Sequence, residues 1–279
     1  MKQVKIGIVG LGLMGGSFGK ALKKYGLASS IVGYDHNKNH QNEALSLKLV
    51  DKIVDLDELI TSDIIVLSIP VDAIVDFMPK LIPSAKYNST IIDFGSTKET
   101  IVRSIPKELK HNYIPAHPMT GTEKFGPSAA IDELYENKTM VLCDIENTNE
   151  IHKNRAIKIF SHLNMKLVFM NSHEHDIHAC YMSHLPHAIS FALANMVMNH
   201  ETPKDIISLA AGGFKDMSRI AKSSPNMWCD IFRQNRINLL EGLEMYEKQI
   251  SNIKLMLQQE DYKEIEEWMA KSNTLHDIL

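Results

Sequence analysis

Three short stretches of this sequence concentrate groups that hold anions or move protons. Asp93-Phe94-Gly95-Ser96-Thr97-Lys98 sets a carboxylate, two hydroxyls and an amine within one loop. Ala116-His117-Pro118-Met119-Thr120-Gly121-Thr122-Glu123 adds an imidazole, further hydroxyls and a carboxylate. Gly212-Gly213-Phe214-Lys215-Asp216-Met217-Ser218-Arg219 supplies two cations. A neutral imidazole, with an ordinary pKa of about 6.5, accepts a proton near neutrality. A guanidinium fork grips a carboxylate at two points. Taken singly, each residue has a plainer use. His117 would cap a strand end before Pro118, Arg219 would be a solvated charge or pair with Asp216, and Thr122 and Glu123 would cap a helix.

A fourth motif is Gly10-Leu11-Gly12-Leu13-Met14-Gly15, directly after the apolar run Val4 to Val9. Gly10 permits a tight turn, Gly12 admits a diphosphate against the backbone, and Gly15 lets a helix pack close to its strand. The helix that opens here presents N–H groups and a positive dipole end to phosphates, with Leu13 and Met14 in its first turn. Asp35 lies twenty positions after Gly15, where a carboxylate bonds the ribose diol of a dinucleotide and repels a 2′-phosphate. No arginine follows it closely, so the expected cofactor is NAD rather than NADP. Ser68-Ile69-Pro70 ends a third apolar strand, either as part of this site or as a simple stop at Pro70.

These groups need a scaffold, and the pattern of the chain supplies one. Short apolar runs alternate with helical periods through the first half: strands near Val4 to Val9, Ile31 to Tyr34, Asp63 to Ile69, Thr90 to Asp93, Tyr113 to Ala116 and Thr139 to Leu142. Such alternation predicts a Rossmann-type α/β domain with a mostly parallel sheet over residues 1–165. The first two polar stretches follow strands, so both reach the sheet edge where a nicotinamide would lie. From residue 166 to 279 helical periods dominate: Ser172 to His200, Lys204 to Ala211, a long run from Pro225 through Gln258, and Tyr262 to Ala270. This half is expected to be an all-α domain that closes the substrate pocket and pairs two copies of the chain as a homodimer.

Bulk composition narrows the field. The 279 residues suffice for two domains, and 44% hydrophobic with 23% charged residues is a globular balance. A net charge of -4 without a basic stripe argues against nucleic acid as partner. No apolar run is long enough to span a membrane. Three scattered cysteines and the absence of a leader suggest a cytoplasmic protein. His173, His175, His178, His184 and His187 crowd one segment, but Pro186 distorts the helix and no carboxylate spacing matches a zinc motif, so no metal is expected. Apart from His117 and His187, the histidines read as surface residues.

Read together, GLGLMGGS, DFGSTK, AHPMTGTE, SHLPHAIS, GGFKDMSRIA and PNMWCDIF, in order from residue 10 to residue 232, resemble the prephenate/arogenate dehydrogenase family. The resemblance implies oxidative decarboxylation of prephenate to 4-hydroxyphenylpyruvate, in tyrosine biosynthesis, with hydride passing to NAD+. It makes His117 the base for the substrate hydroxyl and Ser96 the serine that bonds this histidine. Arg219 becomes the carboxylate-binding residue and His187 a substrate contact, with Lys215 as a second cation. The Thr122 and Glu123 loop lines the pocket, and Trp228 packs at its rim or in the dimer core. No regulatory domain is expected after the helical half and no chorismate mutase segment before residue 4. Arogenate, with an ammonium in place of the keto group, is the alternative substrate; Lys215 and His187 favour prephenate. Another two-domain Rossmann hydroxyacid dehydrogenase would carry a lysine on the first interdomain helix, where this sequence has His184 and His187.

Overall fold

The computed structural model describes residues 4–278. Strands β1 (Lys5–Val9), β2 (Ser30–Tyr34), β3 (Lys52–Ile53), β4 (Ile64–Leu67), β5 (Thr90–Asp93), β6 (Tyr113–Pro118), β7 (Thr139–Cys143) and β8 (Lys166–Met170) form one sheet in the order β3-β2-β1-β4-β5-β6-β7-β8. β6 and β7 are antiparallel; the remaining neighbours are parallel. The central strands are continuous apolar runs because helices cover both faces. Successive residues feed opposite cores: Ile64, Val66, Ile92 and Ile114 pack on one face, and Ile65, Leu67, Ile91 and Tyr113 on the other. The expected mostly parallel α/β architecture is thus present, followed by a helical C-terminal part.

The strand order reverses between β1 and β4, so the carboxyl ends of these strands border a crevice into which no connection crosses. Gly10 and Ser68 stand at this edge. Two elements depart from expectation. β6 runs on through His117 and Pro118, because these residues pair with Val141 and Met140 of β7. The sheet also passes residue 165: β8 pairs along the whole of β7, although its half-exposed face made it read as the start of the helical half.

The helical run from Ser172 to His200 is not uniform. It comprises Ser172–Ala179, a wider five-residue π segment at Cys180–His184, and Leu185–His200. Pro186 has no N–H for the carbonyl four residues earlier, and the widened turn absorbs the mismatch. The run expected from Pro225 to Gln258 breaks at Asn235, between helices Pro225–Gln234 and Arg236–Gln258. The chain divides there into two compact units, Met1–Asn235 and Arg236–Leu279. In the second unit, Asp261 caps the helix Tyr262–Asn273 by accepting the Glu264 N–H at 2.9 Å, and Trp268 Nε1 donates to Gln249. No helix among the described residues is long and apolar enough to cross a membrane.

Candidate active site

The glycine turn has the geometry its spacing predicts. Gly10 adopts φ +86°, and a Cβ there would lie 2.3 Å from the Ser68 carbonyl oxygen. A Cβ on Gly15 would come within 1.9 Å of the Gly10 oxygen, so helix Leu13–Lys24 can sit this close to β1 only without a side chain. Gly12 differs: the one atom within 4 Å of its Cβ position is Gly126 N, at 3.9 Å. Gly12 also caps the helix without any side-chain bond to the first-turn N–H groups. The turn therefore presents a bare backbone cradle with free donors, which fits a diphosphate.

Asp35 ends at the same edge. Its Oδ2 accepts the Leu11 N–H at 2.9 Å and its Oδ1 the Asn37 N–H at 2.8 Å. The buried carboxylate is fixed by these bonds and keeps lone pairs for a ribose diol. Ser68 acts through its backbone: its N–H donates to Val9 and its carbonyl packs under Gly10. Pro70 caps the helix Val71–Phe77 and is exposed.

His117 stands at the end of β6 with 9% exposure. Its Nδ1 is 2.8 Å from Nε2 of His175. His175 Nδ1 lies 2.8 Å from Asp176 Oδ1. Asp176 in turn accepts the Lys98 N–H at 2.7 Å and the Glu99 N–H at 2.9 Å. Behind this chain, Lys98 is ion-paired with Asp93, both fully buried, and Asp93 also accepts the Gly95 N–H. Asn235 donates through Nδ2 to the Asp176 carbonyl at 2.7 Å and meets His184 Nδ1 at 2.9 Å.

Burial, then the neighbouring His175, Lys98 and His184, hold the His117 pKa well below the ordinary histidine value. His175 is lowered mainly by burial, against the pull of Asp176. Burial lowers His184 to about 4. For Asp176, burial pushes upward, but the His175 bond and two backbone N–H groups outweigh it and leave the carboxyl below its usual range. At neutral pH the site therefore holds uncharged imidazoles beside an ionised Asp176.

Two expectations need correction. Ser96 does not bond His117: no hydrogen bond joins them among the described residues, and His175 occupies Nδ1. Nor are the remaining histidines all superficial. His175 is 2% exposed and His184 1%, and His152 is buried against Thr90. Apart from the adjacent Asp176, their partners lie on other elements, 58 residues away for His175 and His117, so no local pattern announces that these histidines are buried. Lys98 and Asp176 join the site as well: each has a partner close in sequence, Asp93 and His175, but the bond that links them to each other spans 78 residues.

A second group gathers nearby. His187 is half-buried, with Nδ1 2.9 Å from the Ser183 carbonyl oxygen and its ring stacked on Trp228 at a 3.6 Å centroid distance. Burial first, then the charge of Arg219, lowers its pKa. Arg219 Nη1 lies 3.8 Å from Glu123 Oε2, across the chain rather than against Asp216. Thr122 is exposed and accepts the Lys124 N–H. Lys215 is exposed and has no ion pair among the described residues. The structure thus brings His187, Trp228, Arg219 and Glu123 together. Among the described residues, no three His, Cys, Asp or Glu side chains are grouped to hold a metal.

Comparison with known proteins identifies a family for the chain. The family model described as "Prephenate dehydrogenase, nucleotide-binding domain" matches residues 18–169. That described as "Prephenate dehydrogenase, dimerization domain" matches residues 171–271. The cyclohexadienyl dehydrogenase of Zymomonas mobilis is 29% identical over 287 residues, covering 98% of this chain and 97% of its own. The crystal structure of prephenate dehydrogenase from A. aeolicus, in complex with hydroxyphenyl propionate and NAD+, superposes with a TM-score of 0.92 at 31% identity, covering 99% of this chain and 98% of that one. The arogenate dehydrogenase of Synechocystis superposes with a TM-score of 0.78 at 28% identity, covering 98% and 99%.

Proposed function

Because the chain belongs to the prephenate dehydrogenase family, we propose that it converts prephenate to 4-hydroxyphenylpyruvate and carbon dioxide with NAD+ as oxidant. NAD+, when bound, accepts the hydride from ring carbon 4. Gly10, Gly12 and Gly15 with the first-turn N–H groups of Leu13 and Met14 hold its diphosphate, and Asp35 its adenosine ribose. Residues 1–165 serve this binding, and residues 166–279 contribute the substrate side and the contact between two copies. Exposed Leu240, Met245, Leu255 and Met269 give the last helices an apolar surface consistent with such pairing.

His117 takes the proton of the substrate's 4-hydroxyl on Nε2 as the hydride leaves. The ring then loses carbon dioxide from carbon 1, becomes aromatic, and its oxygen recovers the proton from the same imidazole. Aromatisation supplies much of the driving force, so the protein chiefly orients the ring and manages this proton. Arg219 holds a substrate carboxylate, and His187, braced on Trp228, contacts the side chain of the substrate. Ser96, in the loop that follows Asp93, is assigned to the nicotinamide side by the family resemblance alone. The observation that carries this reading is the placing of His117 at the end of β6, with Nδ1 2.8 Å from His175 Nε2 and no hydrogen bond to its own Nε2 among the described residues.

A second reading is arogenate as substrate, favoured by one feature: the Glu123 carboxylate beside Arg219 offers a partner to an ammonium. Initial rates of NAD+ reduction with prephenate and with arogenate separate the two. The proposal expects kcat/KM to favour prephenate, and a preference for arogenate overturns the substrate assignment while leaving the chemistry in place.

A further inference from the structure

The proton inventory around His117 can be worked out from its buried partners. Asp176 is a carboxylate whose two oxygens accept backbone N–H groups from Lys98 and Glu99, so it offers His175 only an acceptor. The nitrogen facing it, His175 Nδ1, must then carry hydrogen. A neutral imidazole has one N–H, which leaves His175 Nε2 a bare lone pair. That lone pair lies 2.8 Å from His117 Nδ1, and the contact is a hydrogen bond only if His117 donates. His117 Nδ1 therefore bears the hydrogen, and its Nε2 is the basic atom.

We propose that His175, backed by Asp176, is a positioning residue that locks His117 in the tautomer able to accept the substrate proton. The arrangement is built into the fold. His117 comes from β6, and His175 and Asp176 from the helix Ser172–Ala179. The anchoring amides open the helix Glu99–Arg103. Asn235 fixes the same turn through the Asp176 carbonyl; a carbonyl only accepts, so the amide nitrogen must face it. When His117 becomes an imidazolium, its Nδ1–H still points at His175, and the Asp176 charge stabilises the pair through one intervening ring. No proton has to travel along the chain.

The proposal rests on His117 being the base, and its test separates the two ideas. Nitrogen-15 NMR of the histidine-labelled, NAD+-bound protein near neutral pH reads the tautomer without turnover, with the His117 signals assigned by their loss in His117→Asn. The expected spectrum has His117 Nδ1 protonated and Nε2 bare; the opposite tautomer overturns the proposal whether or not the protein oxidises prephenate. Kinetics give the second arm. His175→Leu removes the acceptor and should lower kcat by a factor on the order of 10²–10⁴, as loss of tautomer control does in a catalytic triad. KM for both substrates should stay within about threefold. His175→Gln sets an amide oxygen near the former Nε2 and should recover kcat to within about tenfold of the parent. Equal kcat in the Leu and Gln variants, or a loss confined to KM, would show a merely structural histidine.

Discussion

Substituting Gly12 and Gly15 by alanine in parallel separates nucleotide binding from folding. At Gly12 the added methyl meets nothing nearer than Gly126 N at 3.9 Å, an ordinary contact. The folded protein without nucleotide should therefore be unchanged, with Tm within about 2 °C of the parent. The methyl instead projects into the bare cradle over the helix terminus and displaces the diphosphate from at least one N–H donor. A hydrogen bond to a charged group contributes about 1.5–3 kcal/mol, so Kd for NAD+ should rise roughly 10- to 100-fold. At Gly15 the same methyl would sit 1.9 Å from the Gly10 oxygen and 3.0 Å from Ile8 Cγ2. Backbone must move there, at a cost of ~1–3 kcal/mol or more, which lowers Tm by about 2–4 °C per kcal/mol even without ligand. Calorimetric titration with NAD+ and thermal melts of both variants are the assays. Unchanged NAD+ affinity in Gly12→Ala would refute the cradle.

Further outcomes follow from the same geometry. His117→Asn should keep NAD+ binding while kcat falls ~10²-fold or more, measured by steady-state rates at saturating substrates. Arg219→Gln should raise KM for the substrate about tenfold with a smaller change in kcat, since it removes a charge-assisted contact; an unaltered KM rejects the carboxylate role. Asp35→Ala should narrow the preference for NAD+ over NADP+, read as the ratio of kcat/KM values. With His117 lowered by burial and by His175, Lys98 and His184, the base stays uncharged above its depressed pKa. The acid limb of kcat/KM should thus lie below the ordinary 6.5, and a limb at or above 6.5 contradicts that environment. Stability has its own pH signature. His184, at about 4 when folded, takes up a proton in the unfolded chain near 6.5. Its contribution is complete above pH 6.5 and is lost as pH falls toward 4, by about 3 kcal/mol, visible as a falling Tm.

The nucleotide half was legible because its signals are local. The unbroken apolar runs of β1, β4 and β5, the glycine turn and Asp35 all lie within a few residues of the feature they specify. β8 was harder, because one face of Lys166–Met170 is open and its pairing with β7 is decided by a strand over twenty residues away. Pro186 signalled a distorted helix, but the break at Asn235 carries no proline or glycine; its side chain is spent instead on Asp176 and His184. At the site, His117, His187, Arg219 and Glu123 could be singled out from their motifs. The bond expected from Ser96 is absent among the described residues, and the partner that does reach His117, His175 at Nδ1, comes from another element. Buried polar networks of this kind depend on tertiary approach, and sequence spacing holds no record of it.

The central claim is an oxidation coupled to loss of carbon dioxide. The direct test is to incubate the purified protein with NAD+ and prephenate and to measure reduced nicotinamide and released carbon dioxide in the same sample. The account predicts both in equal amounts, with 4-hydroxyphenylpyruvate as the product. Reduced nicotinamide without carbon dioxide, or no reduction by protein shown to bind NAD+, would contradict it.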